Sequence, residues 1–213
     1  MKIIIKYGWY ALLIAVIGDL LISTILSLFY KGYNNLTMSI SVLGNPQSPV
    51  KVQFNCWMFI EGVLFLIALP ALYKHYHLVS GWMTISLITF IAVFAVGACI
   101  LTAFFSVNET KDVVTAASKI HGAGSVLGFM LFLFVPLLIA MLSFKNGEDV
   151  IGGISVICFI VALVFFVLFV MSDKEKYANT VISNEGLWQR FNLVFMYLPL
   201  AIVSGVRTKS WTG

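Results

Sequence analysis

The chain has 213 residues, of which 61% are hydrophobic and 10% charged, with a formal net charge of +4. A soluble domain carries about 25% charged residues, so this composition, with a mean hydropathy of +1.01, excludes a water-soluble fold. The basic residues are scattered over short connections and helix ends rather than gathered into a face. This excludes nucleic acid as a partner and leaves membrane lipids, whose anionic headgroups suit the positive balance.

A membrane-spanning helix needs roughly 20 mostly apolar residues. Six stretches qualify, at about 8–29, 52–73, 81–105, 119–142, 150–171 and 188–206. The expected fold class is therefore all-α, a single six-helix transmembrane domain over residues 1–213 with unbroken helices. The first stretch follows Lys2 and Lys6, but it is too long for a signal-peptide core and lacks a small-residue cleavage site, so it reads as a helix. Tyr7, Trp9 and Tyr10 mark one interface of that helix and Tyr30 and Tyr33 the other. Near its middle stands Asp19. The first long loop then carries Ser39-Ile40-Ser41-Val42-Leu43-Gly44-Asn45-Pro46. Ser, Gly, Asn and Pro specify a tight turn, and the apolar residues between them can pack back on the helix ends, so Ser39, Ser41, Gly44, Asn45 and Pro46 are expected to form an ordered cap.

The second stretch opens with Asn55 and holds Glu61 near its middle. His121 heads the fourth, followed by Gly122, Gly124 and Gly128, a close-packing surface for a neighbouring helix. Arg190 heads the sixth. Pro70, Pro136 and Pro199 fall in the second, fourth and sixth stretches, 66 and 63 residues apart, which suggests three stacked helical hairpins. Glu61 and Arg190 each precede their proline by nine residues, and this spacing predicts an ion pair between them. Cys56 lies near a membrane entry, and Cys99 and Cys158 lie within apolar runs. That is no disulfide framework, and all three read as packing residues.

An even number of spans puts both termini on one side and the three longer loops on the other. Lys and Arg number 6 on the terminal side and 7 on the loop side, so the totals make no choice. Lys2 and Lys6 before the first helix, against Lys31 after it, place the termini in the cytoplasm of a plasma-membrane protein. Two glycosylation sequons, at Asn35 and Asn108, share the long-loop side with this orientation.

A charge at the centre of a spanning helix costs about 2.5–3.5 kcal/mol on insertion scales, and such residues are commonly functional. At 1.5 Å per residue both acids lie roughly 14–17 Å from the long-loop face. The expected ligand-binding set is Asp19, Asn55, Glu61, His121 and Arg190, around a polar cavity open on the extracytoplasmic side.

The Ser41-x-Leu43-Gly44 turn, the later Pro46, the Asn-to-Gly stretch opening the second helix and the His heading the fourth together resemble the bacterial and archaeal membrane family called domain of unknown function 998. The resemblance covers most of the chain as six spans. Members often carry an acid between that Ser and Leu, where this chain has Val42. The resemblance implies no assigned activity.

Several chemistries are excluded by residue inventory. A bis-histidine haem needs two histidines at facing depths, but His75 and His77 lie on the terminal side and His121 on the other. Zinc hydrolysis needs three protein ligands, and the loop side offers one His plus carboxylates. Neither metal nor cofactor is expected. Hydrolysis by Ser39 or Ser41 with His121 stays open at this level. Two broader readings also stand: a protein that binds a lipid or small amphiphile, with a homo-oligomer or membrane-protein partner, and a proton-linked transporter or lipid-processing enzyme using Asp19 or Glu61.

Overall fold

Hydrocarbon offers a backbone no hydrogen-bond partner, so an apolar chain crossing it must satisfy each peptide group within its own helix. The computed structural model describes residues 2–107 and 115–209, and among these there is no strand. Six helices are long and apolar enough to span a membrane: α1 (Lys2–Ser27), α2 (Lys51–Tyr76), α3 (Gly81–Phe104), α4 (Ala116–Lys145), α5 (Asp149–Ser172) and α6 (Glu185–Lys209). Their ends carry helix-terminal chemistry. Thr115 and Ser118 form a reciprocal capping box at the start of α4. Asp149 and Glu185 sit in first turns, while Lys74, Lys145, Arg207 and Lys209 sit in last turns, each complementing the helix dipole.

Two helices are interrupted, contrary to expectation. Between Ala95 and Ile100 α3 widens into a π turn. In α4 the ladder breaks at Leu133 and Phe134 and restarts at Val135. Pro136 lies in the first turn of the new segment, where a missing N–H leaves no acceptor unsatisfied. It therefore starts a helix, whereas Pro70 and Pro199 lie inside α2 and α6.

Consecutive helices pack on one another, and α6 closes against α1. α3 and α4 meet backbone to backbone: a Cβ at Gly97 would come within 2.5 Å of the Gly124 carbonyl oxygen, and one at Gly128 within 3.1 Å of the Ala98 Cβ. Gly122, expected to share this surface, has nothing within 4 Å of its Cβ position. The α3 partner, Gly97, is a glycine that nothing in the sequence marks as part of this surface.

At the centre, Phe65, Phe94, Phe132 and Tyr197 bring α2, α3, α4 and α6 into one aromatic cluster, with ring centroids 4.1–6.3 Å apart. Such pairs add about 0.5–1.5 kcal/mol each beyond their buried area. The terminal-side end is laced shut. Ser204 donates to the Trp9 carbonyl at 2.8 Å, the Tyr76 and Ser143 hydroxyls meet at 3.4 Å, Arg207 pairs with Glu148, and His75 Nε2 lies 3.8 Å from the same carboxylate. The loop-side half is different. α5 packs on α6 and, toward the terminal side, on the second half of α4 (Val135–Lys145), but the loop-side half of α4 (Ala116–Phe132) packs on α3 and has no comparable seam with α5 among the described residues.

Candidate functional site

Asp19 and Glu61 are buried, with 4% and 0% exposure, and a third residue joins them. The Tyr197 hydroxyl lies 2.9 Å from Asp19 Oδ2 and 3.3 Å from Glu61 Oε1 and so bridges the two carboxyls. A phenol has one hydrogen to donate and an ionised carboxyl has none. Tyr197 therefore has one hydrogen to offer two carboxyls. Glu61 Oε2 remains buried with no hydrogen-bond partner. A glycine beside each acid allows the neighbouring helix to press in. A Cβ at Gly18 would fall 2.3 Å from the Trp57 ring, and one at Gly62 would fall 2.7 Å from the Ala95 carbonyl oxygen in the π turn.

Above the trio, toward the long loops, opens a cavity of about 530 Å³. Its floor is Asp19 and Glu61. Its walls are mainly apolar, with Phe54 and Met58 from α2, Phe94 and Ala98 from α3, Val126, Phe129 and Met130 from α4, Phe166, Phe169 and Val170 from α5 and Leu193 from α6. Polar groups enter at the rim through Ser39, Ser41, Thr102, His121, Glu185 and Gln189. The expected polar cavity is thus an apolar one with a polar floor and rim. Its flank runs along the splayed loop-side halves of α4 and α5, where Val126, Met130 and Val170 are exposed toward the membrane.

His121 is 7% exposed, and its Nδ1 lies 3.1 Å from the Phe105 carbonyl oxygen. A carbonyl only accepts, so Nδ1 carries the hydrogen and Nε2 is left as an acceptor. The Ser39 and Ser41 hydroxyls lie 3.3 Å from each other, and no serine bonds to His121 among the described residues. The serine–histidine arrangement for nucleophilic attack is therefore not assembled.

Arg190 does not reach Glu61. Its guanidinium donates to the carbonyls of Asn35 (2.9 Å), Met38 (3.2 Å) and Gly186 (3.0 Å) and to the Tyr33 hydroxyl (2.8 Å). α6 begins at Glu185, which puts Arg190 in its second turn, level with the first loop rather than with the acids. The nine-residue spacing to the prolines misleads because the prolines do not share a depth: Glu61, nine residues before Pro70, meets Tyr197, two residues before Pro199. Burial pushes the Tyr33 phenol above its ordinary range, with Arg190 opposing.

The first loop is an ordered cap. A 3₁₀ turn spans Ile40–Gly44, burying Ile40, Leu43 and Gly44. Asn45 Oδ1 accepts from the Gln47 N–H at 2.9 Å, and its amide donates to Tyr30 Oη at 3.3 Å. Pro46 is exposed beyond the turn. Asn55 stands beneath this turn, its Oδ1 2.8 Å from the Cβ position of Gly44, and does not line the cavity. Gln189 Oε1 accepts from the Ile40 N–H at 2.7 Å. Asn35, the first sequon residue, donates its side-chain amide to Ser27 Oγ at 2.8 Å. Asn108 lies outside the described residues.

Tyr197, Gln189 and Trp57 are the site residues that the apolar pattern conceals. Gln189, Leu193, Met196, Tyr197 and Leu200 are all buried on one stripe of α6, at the spacing of a helix face. That stripe is the signal that could have found Tyr197, which otherwise looks like any aromatic in an apolar run. Asn192, also buried, has neither side-chain polar atom hydrogen-bonded.

The model of one protein family, described as Protein of unknown function (DUF998), matches residues 13–206. No curated protein matches the chain, and no solved structure does.

Proposed function

We propose that this chain, which belongs to the DUF998 family of proteins of unknown function, is an intramembrane binding protein that takes a lipid or small amphiphile into the cavity beneath its loop cap. The observation that carries this reading is the cavity itself, about 530 Å³ with apolar walls over a polar floor. Ligand sites are commonly pockets of about 300–1,000 Å³ with apolar walls and a few convergent polar groups. The splay between α4 and α5 supports entry from the surrounding bilayer. In the orientation set by the first-helix charges, the mouth faces the extracytoplasmic side and membrane lipids are the source of ligand.

Native mass spectrometry of the protein released from lipid nanodiscs tests the reading. Gly122 lines the cavity and has open space at its Cβ position, so Gly122→Phe should fill the pocket without disturbing a helix contact. Wild type should carry a small-amphiphile adduct that Gly122→Phe loses. Absence of any adduct, or equal retention by the variant, would remove the proposal.

A second reading, a proton-linked transporter or a lipid-processing membrane enzyme using Asp19 or Glu61, is favoured by the π turn against Gly62 and the break in α4. π turns are frequent at functional sites, and transporters build substrate sites from interrupted helices. Asp19→Asn keeps the side chain's shape and removes its titratable proton. In liposomes, amphiphile-driven proton flux present in wild type and lost in Asp19→Asn would establish this reading over simple binding.

A further inference from the structure

The charge on the cavity wall is one-sided. Asp19 and Glu61 form the floor, and no Lys or Arg lines it, although the chain as a whole carries +4. Arg190, one helical turn from Glu185, turns its guanidinium to the carbonyls of the first loop. A phosphate or carboxylate head would bring negative charge into an apolar chamber whose lining holds acids and no Lys or Arg, and like charges at low dielectric repel strongly.

Between a neutral head and a cationic one, the hydrogen inventory decides. Tyr197 supplies one hydrogen to two carboxyls, and Glu61 Oε2 has no donor. An alcohol would bring one hydrogen together with lone pairs of its own. A primary ammonium brings three donors and no acceptor, and a buried carboxylate is best satisfied by an opposite charge that also hydrogen-bonds to it. Phe54, Phe94 and Phe129 along the wall suit an apolar body.

We propose that the cavity selects organic cations, specifically a primary ammonium head on an apolar body, with the head on Asp19 and Glu61 and the body toward the cap. This deepens the amphiphile reading above and rests on it.

The test uses the full chain in lipid nanodiscs at neutral pH with three probes of equal chain length: decylamine, decanol and decanoate. Binding is read by native mass spectrometry and thermal unfolding, with empty nanodiscs correcting for partition into lipid. Decylamine should bind at least about tenfold more tightly than decanol, a difference of about 1.4 kcal/mol, and decanoate most weakly. In Glu61→Gln the amine should fall to the level of the alcohol. Should Glu61→Gln fail to fold, Asp19→Asn should narrow the same ratio. Equal binding of decanol and decylamine by wild type, or a preference for decanoate, overturns cation selection while leaving an amphiphile pocket in place. If none of the three binds, both this inference and the amphiphile reading fall.

Discussion

Tyr197 is placed so that its ring is cemented among Phe65, Phe94 and Phe132 while its hydroxyl meets two acids. Tyr197→Phe keeps the ring and deletes the hydroxyl. Leaving buried polar groups unsatisfied costs about 1–3 kcal/mol each, so this variant should unfold at a clearly lower temperature in detergent or nanodiscs. Wild-type stability in Tyr197→Phe would show that the hydroxyl is not shared with the acids. A second residue-scale expectation reverses the ion pair that the proline spacing suggests. Glu61 bonds to Tyr197, Arg190 bonds to the first loop and Tyr33, and they have no hydrogen-bond partner in common. Sites without shared partners add within about 0.3–0.5 kcal/mol. The Glu61→Gln and Arg190→Gln losses should therefore sum in the double variant, as measured by denaturant or thermal unfolding, and a double variant losing well under the sum would restore the pair.

At the scale of the helices, the α3–α4 seam is a backbone-to-backbone contact. A Cβ at Gly124 would sit 2.7 Å from the Gly97 carbonyl oxygen, whereas one at Gly122 meets nothing within 4 Å. Ala is better than Gly in a helix interior by roughly 0.5–1 kcal/mol, and overpacking costs typically about 1–3 kcal/mol. Gly122→Ala should thus be neutral or stabilising and Gly124→Ala destabilising, a difference in sign that unfolding curves would reveal. The existence of each helix is legible in the sequence because an apolar run in hydrocarbon has no other way to satisfy its backbone. The interruptions are not. The π turn at Ala95–Ile100 contains no Pro and follows from how α2 and α4 pack on α3, and Pro136 looks the same in sequence whether it kinks a helix or starts one. The acids stand out as expensive residues, yet their partner does not, since a Tyr among Phe and Leu carries no mark of its hydroxyl's target. Arg190 stands out in the sequence, but the proline spacing gives it the wrong neighbour, because spacing along one helix does not give height relative to another.

For the molecule as a whole, the terminal-side end is interlocked while the loop-side half holds the cavity, so which compartment the cavity faces depends on orientation alone. Gln47 and Asn146 are exposed at opposite ends of the bundle, and the exposed Cys56 can be replaced by Ser to clear the background. With cytoplasmic termini, a cysteine at position 47 should label with an impermeant reagent in intact cells and one at position 146 should not; the opposite pattern would invert the topology. The cap adds something that an ordinary surface loop would lack. The Ile40 amide ends on Gln189, 149 residues away, and the Leu187 amide ends on the Leu36 carbonyl at 2.9 Å. Loops commonly exchange their amide hydrogens through small local openings, long before the core does. The Ile40 amide can reach water only when the first loop parts from α6, and the Leu187 amide, which also bonds to the Asn184 carbonyl at 3.1 Å, is held partly by the same contact, so both should be among the slow exchangers of the bundle. The first loop and the last helix should thus open as one unit.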